Sequence, residues 1–587
     1  MRLKKQKKKS APGTDGINYT LQKAVKNNGI KFFTKLYNYI LQTGEFPTEW
    51  NKIIINFIDK LPKKGFRPIA LENTIMKIFE RIINERIVHF VEKENILPNN
   101  SFGFRRNRSC NDNLAILHTD ILISKLKKKS LGILSLDLKG AYDQVNIEKL
   151  MEILEEINIP SKIRRFIYNI NTNKKLIGYY NGRKMREGYS NKGLLQGSII
   201  SPVLLNIYTR KLPLYVPHQV KALIFADDTI YYVSHKNAEE ITSILQECYI
   251  SVRDYFAQLA MPISIEKSSF MIVNFPHNPV EPGQFSICTE TTPLKNSYQI
   301  KYLGTIIDSN LSWQEHIEKI VKTCRIGLNM LSSISNTKWG VHPKTALLFY
   351  KSIIRPKIEW SFFMYHNAES RLLRKLDVIQ NSAIRTCLGV IRTTPINVLH
   401  SIAGLPTLEI RRKFIAKKMI AKASAYRNNM LIPKFTLIKD KFLKNWSDKN
   451  ILKKTNLLFY QWLKNLNVLS GVSKQGILTT FQIPFQAHFM ENFINRDFGK
   501  SFDKKGDKIE NQKKFIEESK KQFPGYNYIC TDGSKKEDGQ CGYGVWSESD
   551  QKEISGIVYY IIAGENDLLQ ARRLVVENGG RGERRMR

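Results

Sequence analysis

The stretch ALIFADDTIYYV, from Ala222 to Val233, carries two adjacent carboxylates inside an otherwise apolar run. The apolar residues on either side of Asp227 and Asp228 favour two β-strands, so the pair falls at the turn of a predicted hairpin. One interpretation is a solvated hairpin tip, because Asp tolerates unusual backbone angles and bonds its own chain. The other is a metal site, because adjacent carboxylates repel unless a proton or a cation such as Mg²⁺ neutralises them.

The composition of the whole chain indicates a multidomain protein with a polyanionic partner. Its 587 residues are too many for one hydrophobic core, and 42% of them are apolar, enough for globular folding. The net charge of +39 favours nucleic acid or, less often, an anionic membrane as the partner. Neither a membrane span nor a secretory signal is predicted, and seven scattered cysteines without a CxxC pair favour a reduced intracellular protein.

Hydrophobic patterning predicts an α+β protein whose C-terminal half is largely helical. Strands are predicted at 52–58 and in the segments LGILSLD, KSSFMIVNF and KYLGTIID, and helices at about 74–94 and 237–260. Residues 147–180 are predicted to be helical, and residues 312–470 to be mostly helical and basic. From residue 526 the pattern is again typical of β-structure.

A third carboxylate, Asp137, also lies near the end of an apolar strand, in GILSLDLKGAYDQV. A charge there is costly unless it is paired or binds a metal, although Asp137 taken alone is equally compatible with a helix N-cap. If its strand lies beside the hairpin of Asp227 and Asp228 in one antiparallel sheet, the three carboxylates can bind two Mg²⁺ ions. Two such ions clamp the attacking and leaving oxygens of an in-line phosphoryl transfer.

Six segments, in order, resemble the motifs of reverse transcriptases. FADD resembles their Tyr/Phe-x-Asp-Asp box, LDLKGAYDQV their first catalytic motif, and GLLQGSIISP their Gln-Gly motif. SFGFRRNRS, KYLGTIIDSNLSWQEHI and IIRPKIEW resemble the non-LTR retrotransposon branch, in particular jockey-type insect elements. The resemblance covers roughly residues 10–430 and implies a right-hand polymerase, with fingers, a palm built on an antiparallel sheet, and a helical thumb.

The resemblance also implies a role for three groups of residues. The catalytic and metal-binding carboxylates are Asp137, Asp227 and Asp228. The nucleotide-binding residues are Lys60, Arg67, Tyr142, Gln196, Gly197 and Lys267. Of these, Lys60 and Arg67 are implied to close on the triphosphate, and Lys267 is implied to donate a proton to the leaving pyrophosphate. The residues that meet template phosphates are Arg105, Arg106 and Arg108. A solvated basic loop is the alternative interpretation of Lys60 and Arg67.

Tyr142 and Gly197 each have a more specific implied function. Tyr142 matches an aromatic gate that clashes with a ribose 2′-hydroxyl, so it favours dNTP over rNTP by excluded volume; the alternative is a core aromatic. Gly197 follows Gln196 and would let the backbone approach the base pair closely, which is compatible with a simple turn before a helix.

The expected domains are an N-terminal extension of the fingers at 1–45, fingers and palm at 46–308, a helical thumb and connection at 309–520, and a partial ribonuclease H-like fragment at 521–587. The last resembles the first hairpin of ribonuclease H in YICTDGSKKEDGQCGYGVW, with Asp532 as a first metal ligand and Glu565 as a weak candidate for the second. The chain ends before the remaining ligands, so this fragment is expected to be inactive. The endonuclease of intact elements is expected to be missing.

The sequence and the resemblance together imply an RNA-directed DNA polymerase that extends a DNA primer on an RNA template, with dNTPs and two Mg²⁺ ions, in the nucleus. An RNA-dependent RNA polymerase is disfavoured by Tyr142 and the FADD box, and an intron maturase by the jockey-like region at 302–430. The alternative from another class is a catalytically dead remnant that still binds RNA and DNA.

Overall fold

The computed structural model describes most of the chain up to residue 470 and three strands near its end. The described residues are 11–20, 27–59, 65–275, 279–281, 283–335, 339–426, 428–442, 456–470, 529–535, 540–547 and 552–559. They fall into two compact units, Met1–Gln482 and Ile483–Arg587, which are described in turn.

In the first unit, strands and helices are interspersed up to residue 308, and the described elements after that residue are helices. The strands are β1 (Lys52–Asp59), β2 (Phe66–Leu71), β3 (Ser130–Asp137), β4 (Lys174–Tyr180), β5 (Arg183–Ser190), β6 (Lys221–Phe225), β7 (Asp228–His235), β8 (Ser269–Val273), β9 (Ser286–Ile287), β10 (Leu294–Lys295), β11 (Gln299–Tyr302) and β12 (Thr305–Asp308). The helices are α1 (Asn27–Thr43), α2 (Thr74–Lys93), α3 (Cys110–Leu126), α4 (Ala141–Gln144), α5 (Ile147–Glu156), α6 (Ser161–Asn171), α7 (Ser201–Tyr208), α8 (Ala238–Gln258), α9 (Gln314–Ile334), α10 (Pro343–Phe349), α11 (Arg355–Glu359), α12 (Ser370–Leu388), α13 (Ile396–Ala403), α14 (Leu408–Ala425), α15 (Leu431–Phe442), α16 (Leu457–Lys464) and α17 (Leu466–Ser470).

A central antiparallel sheet in the order β6-β7-β3-β8 organises the first unit. Both faces of the sheet are covered, because Leu131 and Ile133 of β3 enter one hydrophobic cluster while Leu134 and Leu136 enter the other. Alternate side chains of a strand point to opposite faces, so a strand buried on both faces must be apolar throughout. This accounts for the continuous apolar runs on either side of the carboxylates.

A second, outer sheet in the order β2-β1-β4-β5 corrects one sequence-based prediction. Residues 147–180 are not helical throughout: α5 and α6 end by Asn171, and β4 pairs in parallel with β1. β5 then returns antiparallel to β4 through a turn at Asn181 and Gly182. That Asn-Gly dipeptide is a strong hairpin signal and would have identified the strands.

The predicted helices at 74–94 and 237–260 are confirmed as α2 and α8, and the predicted helical region after 312 is confirmed as α9 to α17 among the described residues. Part of this region packs back onto α3. Lys434 of α15 donates to the buried Asp120 at 2.7 Å, and Lys422 of α14 donates to Asp112 at 2.8 Å. These ion pairs link segments of the chain that lie more than three hundred residues apart.

The second unit contains an antiparallel sheet of β13 (Ile529–Lys535), β14 (Gln540–Ser547) and β15 (Lys552–Tyr559), in that order. This confirms the predicted return to β-structure after residue 526. Of the two predicted ribonuclease H ligands, Asp532 lies on β13 opposite Gly544, where the structure describes only the backbone. Glu565 lies outside the described residues. Across the described parts of both units, no helix is long and apolar enough to cross a membrane.

Candidate active site

The three predicted catalytic carboxylates lie together at one end of the central sheet. Asp137, the last residue of β3, is the register partner of Asp228, the first residue of β7. Asp228 also pairs with Phe225 of β6, so Ala226 and Asp227 form the two-residue turn of the hairpin. The sheet therefore brings together carboxylates from two distant segments, and it places Asp227 at the turn beside them.

The electrostatics of the cluster show that these carboxylates repel one another. Burial raises the pKa of Asp227, the charge of Asp137 raises it further, and Lys267 and Arg67 oppose the shift. Part of Asp228 is exposed to solvent, but its carboxyl is partly desolvated. This desolvation, followed by the charges of Asp227 and Asp137, raises its pKa to about 6. Three acidic groups held this close are stabilised by a nearby cation.

Lys267 provides part of the compensating positive charge. Its Nζ lies 2.9 Å from Oδ2 of Asp137, and the turn that contains Lys267 is tied to the end of β3 by two hydrogen bonds. The amide of Ser264 donates to the carbonyl of Asp137 at 2.7 Å, and the amide of Asp137 donates to Oγ of Ser268 at 3.3 Å. The lysine predicted to act near the pyrophosphate is therefore anchored directly beside the carboxylates.

The donor set consists of carboxylate oxygens, which are ligands typical of hard divalent cations. Among the residues the structure describes, no three His, Cys, Asp or Glu side chains converge closely enough to bind one ion. Mg²⁺ commonly binds one or two carboxylates and completes its shell with water and phosphate oxygens. The raised pKa values of Asp227 and Asp228 indicate repulsion that such a cation would relieve.

Tyr142 interacts with Asp227 and is bonded to the segment that leads into the Gln-Gly turn. Tyr142 is half-buried, and burial followed by the charge of Asp227 raises its pKa. Its carbonyl accepts the amide of Leu194 at 2.7 Å, which joins it to the segment that precedes Gln196. Gln196 lines an open groove of about 870 Å³ beneath the outer sheet.

Gly197 makes a close approach to protein backbone in this structure. Its φ is 142°, and a Cβ at this position would lie 2.3 Å from the carbonyl oxygen of Ala70 on β2. The amide of Ala70 in turn donates to the carbonyl of Gln196 at 2.8 Å. The glycine is therefore required by the contact between the turn and β2, whatever it does for a base pair.

Of the two predicted triphosphate-binding residues, only Arg67 can be located. Arg67 is exposed on β2, opposite Ile58 of β1. Its positive charge opposes the rise in the pKa of Asp227 that burial causes. Lys60, in the loop between β1 and β2, lies outside the described residues.

The three arginines predicted to meet template phosphates differ in their environments. The Arg105 side chain is 4% exposed and binds both oxygens of Glu92, at 2.8 and 2.6 Å, and the carbonyls of Pro98 and Ser101. Its guanidinium makes four hydrogen bonds within the protein, which favours a structural role for Arg105 over the predicted contact with template phosphates. Arg106 is exposed.

Arg108 is intermediate between these two cases. Its guanidinium donates to the carbonyls of Asn99 and Ser101 and lies 5.3 Å from the ring centroid of Phe102. Burial and the neighbouring charge of Arg105 lower its pKa to about 10. The side chain remains partly accessible beside Arg106.

Comparison with known proteins agrees with this geometry. Residues 58–307, which contain all three carboxylates, match the family described as reverse transcriptase (RNA-dependent DNA polymerase). Residues 58–307 are therefore a domain similar to reverse transcriptases. Two four-stranded sheets, two small two-stranded sheets and the surrounding helices form a polymerase fold.

Relatives of this chain include RNA-directed DNA polymerases of transposons and mobile elements. A probable RNA-directed DNA polymerase from transposon BS of Drosophila melanogaster is 24% identical over 68% of this chain and 45% of the relative. The polymerase from mobile element jockey of the same species is 23% identical over 72% of this chain and 47% of the relative. The chain thus spans about half the length of these relatives. A telomerase from Candida tropicalis is similar with a TM-score of 0.35 at 13% identity, over 77% of this chain and 68% of that one.

The reverse transcriptase domain contains two supporting residues that sequence reasoning missed. The amide of Phe102 donates to the carbonyl of Ile224, so the segment SFGF runs beside β6, and a Cβ on Gly103 would lie 2.5 Å from the amide nitrogen of Ala226. The buried Asn206 donates to the carbonyl of Gly103 at 2.8 Å. Gly103 and Asn206 therefore support the turn that carries Asp227. The glycine inside SFGF was the available signal.

The hairpin β11–β12 brings a further cation close to the carboxylates of the reverse transcriptase domain. Burial raises the pKa of Asp228, and the positive charge of Lys301 on β11 opposes that rise. The turn of this hairpin contains Leu303 at a φ of 44°, and the indole Nε1–H of Trp360 donates to the Leu303 carbonyl at 3.1 Å. A residue from the helical region after 312 thus contacts the tip of this hairpin.

Proposed function

We propose that this protein is the RNA-directed DNA polymerase of a non-LTR retrotransposon, extending a DNA primer on an RNA template by two-metal nucleotidyl transfer. The observation that carries the proposal is the register of Asp137 with Asp228, which gathers three carboxylates at one sheet end within the stretch that matches reverse transcriptases. A solvated hairpin tip would need only Asp227 and Asp228.

Asp137, Asp227 and Asp228 would hold two Mg²⁺ ions. When bound, such ions activate a primer 3′-hydroxyl and neutralise charge on the leaving pyrophosphate. The protein supplies the carboxylates on rigid strand ends, so little reorganisation is needed when the ions bind.

The surrounding side chains select and orient the incoming nucleotide. Arg67, exposed on β2, has the charge and fork geometry to grip a triphosphate, a role that Lys60 would share. The ring of Tyr142, next to Asp227, would exclude a ribose 2′-hydroxyl and so favour dNTPs. Gln196 and Gly197 would pack against the nucleotide and template. Lys267 is close enough to Asp137 to donate a proton to the departing pyrophosphate.

Arg106 and Arg108 would meet template phosphates, because both belong to one basic loop and retain some exposure. Such contacts position a strand without reading its sequence. Arg105 is left out of this role, because its guanidinium is buried against Glu92.

We assign fingers and palm to residues 46–308, preceded by an N-terminal extension at 1–45. A helical thumb and connection at 309–520 would grip the duplex, and 521–587 would be ribonuclease H-like. The antiparallel order of β13, β14 and β15 is compatible with the last assignment. A nuclear location is proposed because a chromosomal primer would be met there.

A catalytically dead remnant that binds RNA and DNA is the competing function. Primer extension on an RNA template, with dNTPs and Mg²⁺, separates the two. We expect extension by the parent and by Asp254→Asn, an exposed carboxylate on α8, and loss of extension in Asp227→Asn. A folded parent that binds template–primer without extending it would favour the remnant.

A further inference from the structure

Two carboxyl groups outside the catalytic cluster are buried side by side under the Gln-Gly turn. Glu72, just before α2, is 1% exposed, and Glu80 on α2 is fully buried. Burial raises the pKa of both carboxyls, and the charge of Glu80 raises that of Glu72 further. Two buried carboxylates in contact are costly, so the pair is stable only if its protonation or its partners compensate.

The two carboxyls have unequal partners. Oε1 of Glu80 accepts the hydroxyl of Ser198 at 2.6 Å, and Oε2 accepts the amide of Ile199 at 3.1 Å. Among the described residues, no donor bonds either oxygen of the buried Glu72, and the charge of Glu80 acts on its carboxyl more strongly than any other. Glu80 is therefore arranged as an ionised acceptor, while Glu72 is arranged as a protonated acid that donates to it.

Glu80 fixes the far side of the Gln-Gly turn. The Oγ of Ser198, held by Glu80, also accepts the amide of Ile200 at 3.3 Å, immediately before α7. On the near side, the carbonyl of Gln196 accepts the amide of Ala70. The dipeptide of Gln196 and Gly197 is thus clamped between β2 and a buried carboxylate on α2.

A buried cation fixes the start of the same segment. Nζ of Lys174 on β4 donates to the carbonyls of Gly193 at 2.7 Å and Lys192 at 3.1 Å, and burial lowers its pKa to about 8. Lys174 and Lys77 of α2 oppose the upward shift of the pKa of Glu72. Tyr19 is a further titratable group near both carboxyls: burial raises its pKa most, Arg81 opposes the shift, and the charges of Glu80 and Glu72 add to it.

We propose that Glu72 and Glu80 act as a proton-sharing pair of positioning residues: protonated Glu72 supports ionised Glu80, which fixes the turn of Gln196 and Gly197 against the nucleotide. This inference rests on the proposed polymerase function. Neither glutamate touches the reacting atoms, so their effect is expected on nucleotide binding more than on the chemical step.

The kinetic test compares Glu72→Gln, Glu80→Gln and Ser198→Ala by steady-state primer extension at varied dNTP concentration. Glu72→Gln keeps a neutral donor to Glu80, so we expect KM for dNTP within about twofold of the parent. Glu80→Gln replaces an acceptor with an amide donor facing Ser198 or Ile199, so KM should rise by about tenfold. Ser198→Ala removes the hydroxyl that bonds Glu80 but does not replace the buried carboxylate itself. This variant should also raise KM for dNTP, and it keeps the test available if Glu80→Gln fails to fold.

Thermal melting over pH tests the shared proton without any activity. A carboxyl whose folded pKa is raised stabilises the fold fully below its unfolded value of about 4.5, and this contribution is lost as pH rises through the folded pKa. We therefore expect the alkaline fall in Tm to be shallower in Glu72→Gln than in the parent.

The outcomes separate the two proposals. A parent that does not extend a primer overturns the polymerase function, while melting still decides the shared proton. If the parent is active, three results would each overturn the positioning pair. The first is an equal increase in KM in Glu72→Gln and Glu80→Gln, and the second is an unchanged KM in Ser198→Ala. The third is an identical melting profile for the parent and Glu72→Gln.

Discussion

Nζ of Lys267 lies 2.9 Å from Oδ2 of Asp137, so the carboxylate that ends β3 already carries a cationic partner. A metal ion that binds Asp137 must compete with this ammonium group. The ion pair is partly exposed, with 56% of the lysine side chain accessible, so its contribution is at most about 1 kcal/mol.

Replacing this lysine is expected to lower the Mg²⁺ requirement. For Lys267→Gln at pH 8, the half-saturating Mg²⁺ concentration should fall about two- to fivefold, because the competing charge is gone. The measurement is a Mg²⁺ titration of single-nucleotide extension. Lys127→Gln is the matched control, since it removes the same charge beyond the opposite end of β3. A half-saturating concentration that is unchanged or higher would contradict the competition.

Stabilisation of the fold by Mg²⁺ should depend on pH. Because the pKa of Asp228 is raised to about 6, its contribution to stability is present below its unfolded value of 3.8 and is lost as pH rises through 6. Mg²⁺ offsets the resulting repulsion, so the gain in Tm should be larger at pH 8 than at pH 5. Equal gains at both pH values, or the same gain in Asp228→Asn, would show that Mg²⁺ acts elsewhere.

Sugar selectivity should depend on the volume of Tyr142. Tyr142→Val opens space next to Asp227, so the preference for dNTP over rNTP, measured as a ratio of kcat/KM, should fall by about tenfold or more. Tyr142→Phe keeps the ring and should keep the preference. If both variants discriminate like the parent, Tyr142 is only a core aromatic.

The contact between Trp360 and Leu303 predicts a defect in use of the primer. Trp360→Phe keeps an aromatic ring but removes the donor to the Leu303 carbonyl, a loss of about 1 kcal/mol. We expect KM for primer–template to rise while KM for dNTP stays near that of the parent. An equal change in both constants would indicate a general loss of folding instead of a local effect at the β11–β12 turn.

The two neighbouring arginines of the basic loop should respond in opposite ways to substitution. Arg105→Ala leaves Glu92 buried and unpaired, which should cost about 3–5 kcal/mol of unfolding free energy. Arg106→Ala should change stability by no more than about 0.5 kcal/mol but weaken binding to template–primer, most clearly at low salt. Denaturant unfolding and filter binding measure the two effects. Weaker binding by a stable Arg105→Ala would restore its template role.

Local signals determined much of the architecture. The hairpin around Asp227 follows from two apolar runs with a turn between them, and α3 is capped by Ser109, whose side chain accepts the amide of Asp112. The periodicity of α2 and α8 likewise lies within each segment. Hydrogen bonds of helices and hairpins close over a few residues, so a short window of sequence contains most of the information needed to predict them.

The tertiary structure decided what depends on partners far along the chain. Arg105 is buried against Glu92, whereas Arg106 is exposed. The sequence does not distinguish these two arginines, because both lie in the same basic loop. The bond from Ser198 to Glu80 spans 118 residues and the ion pair of Lys267 with Asp137 spans 130. Desolvation and pairing of a charge depend on which distant side chains pack around it, and only the folded chain specifies them.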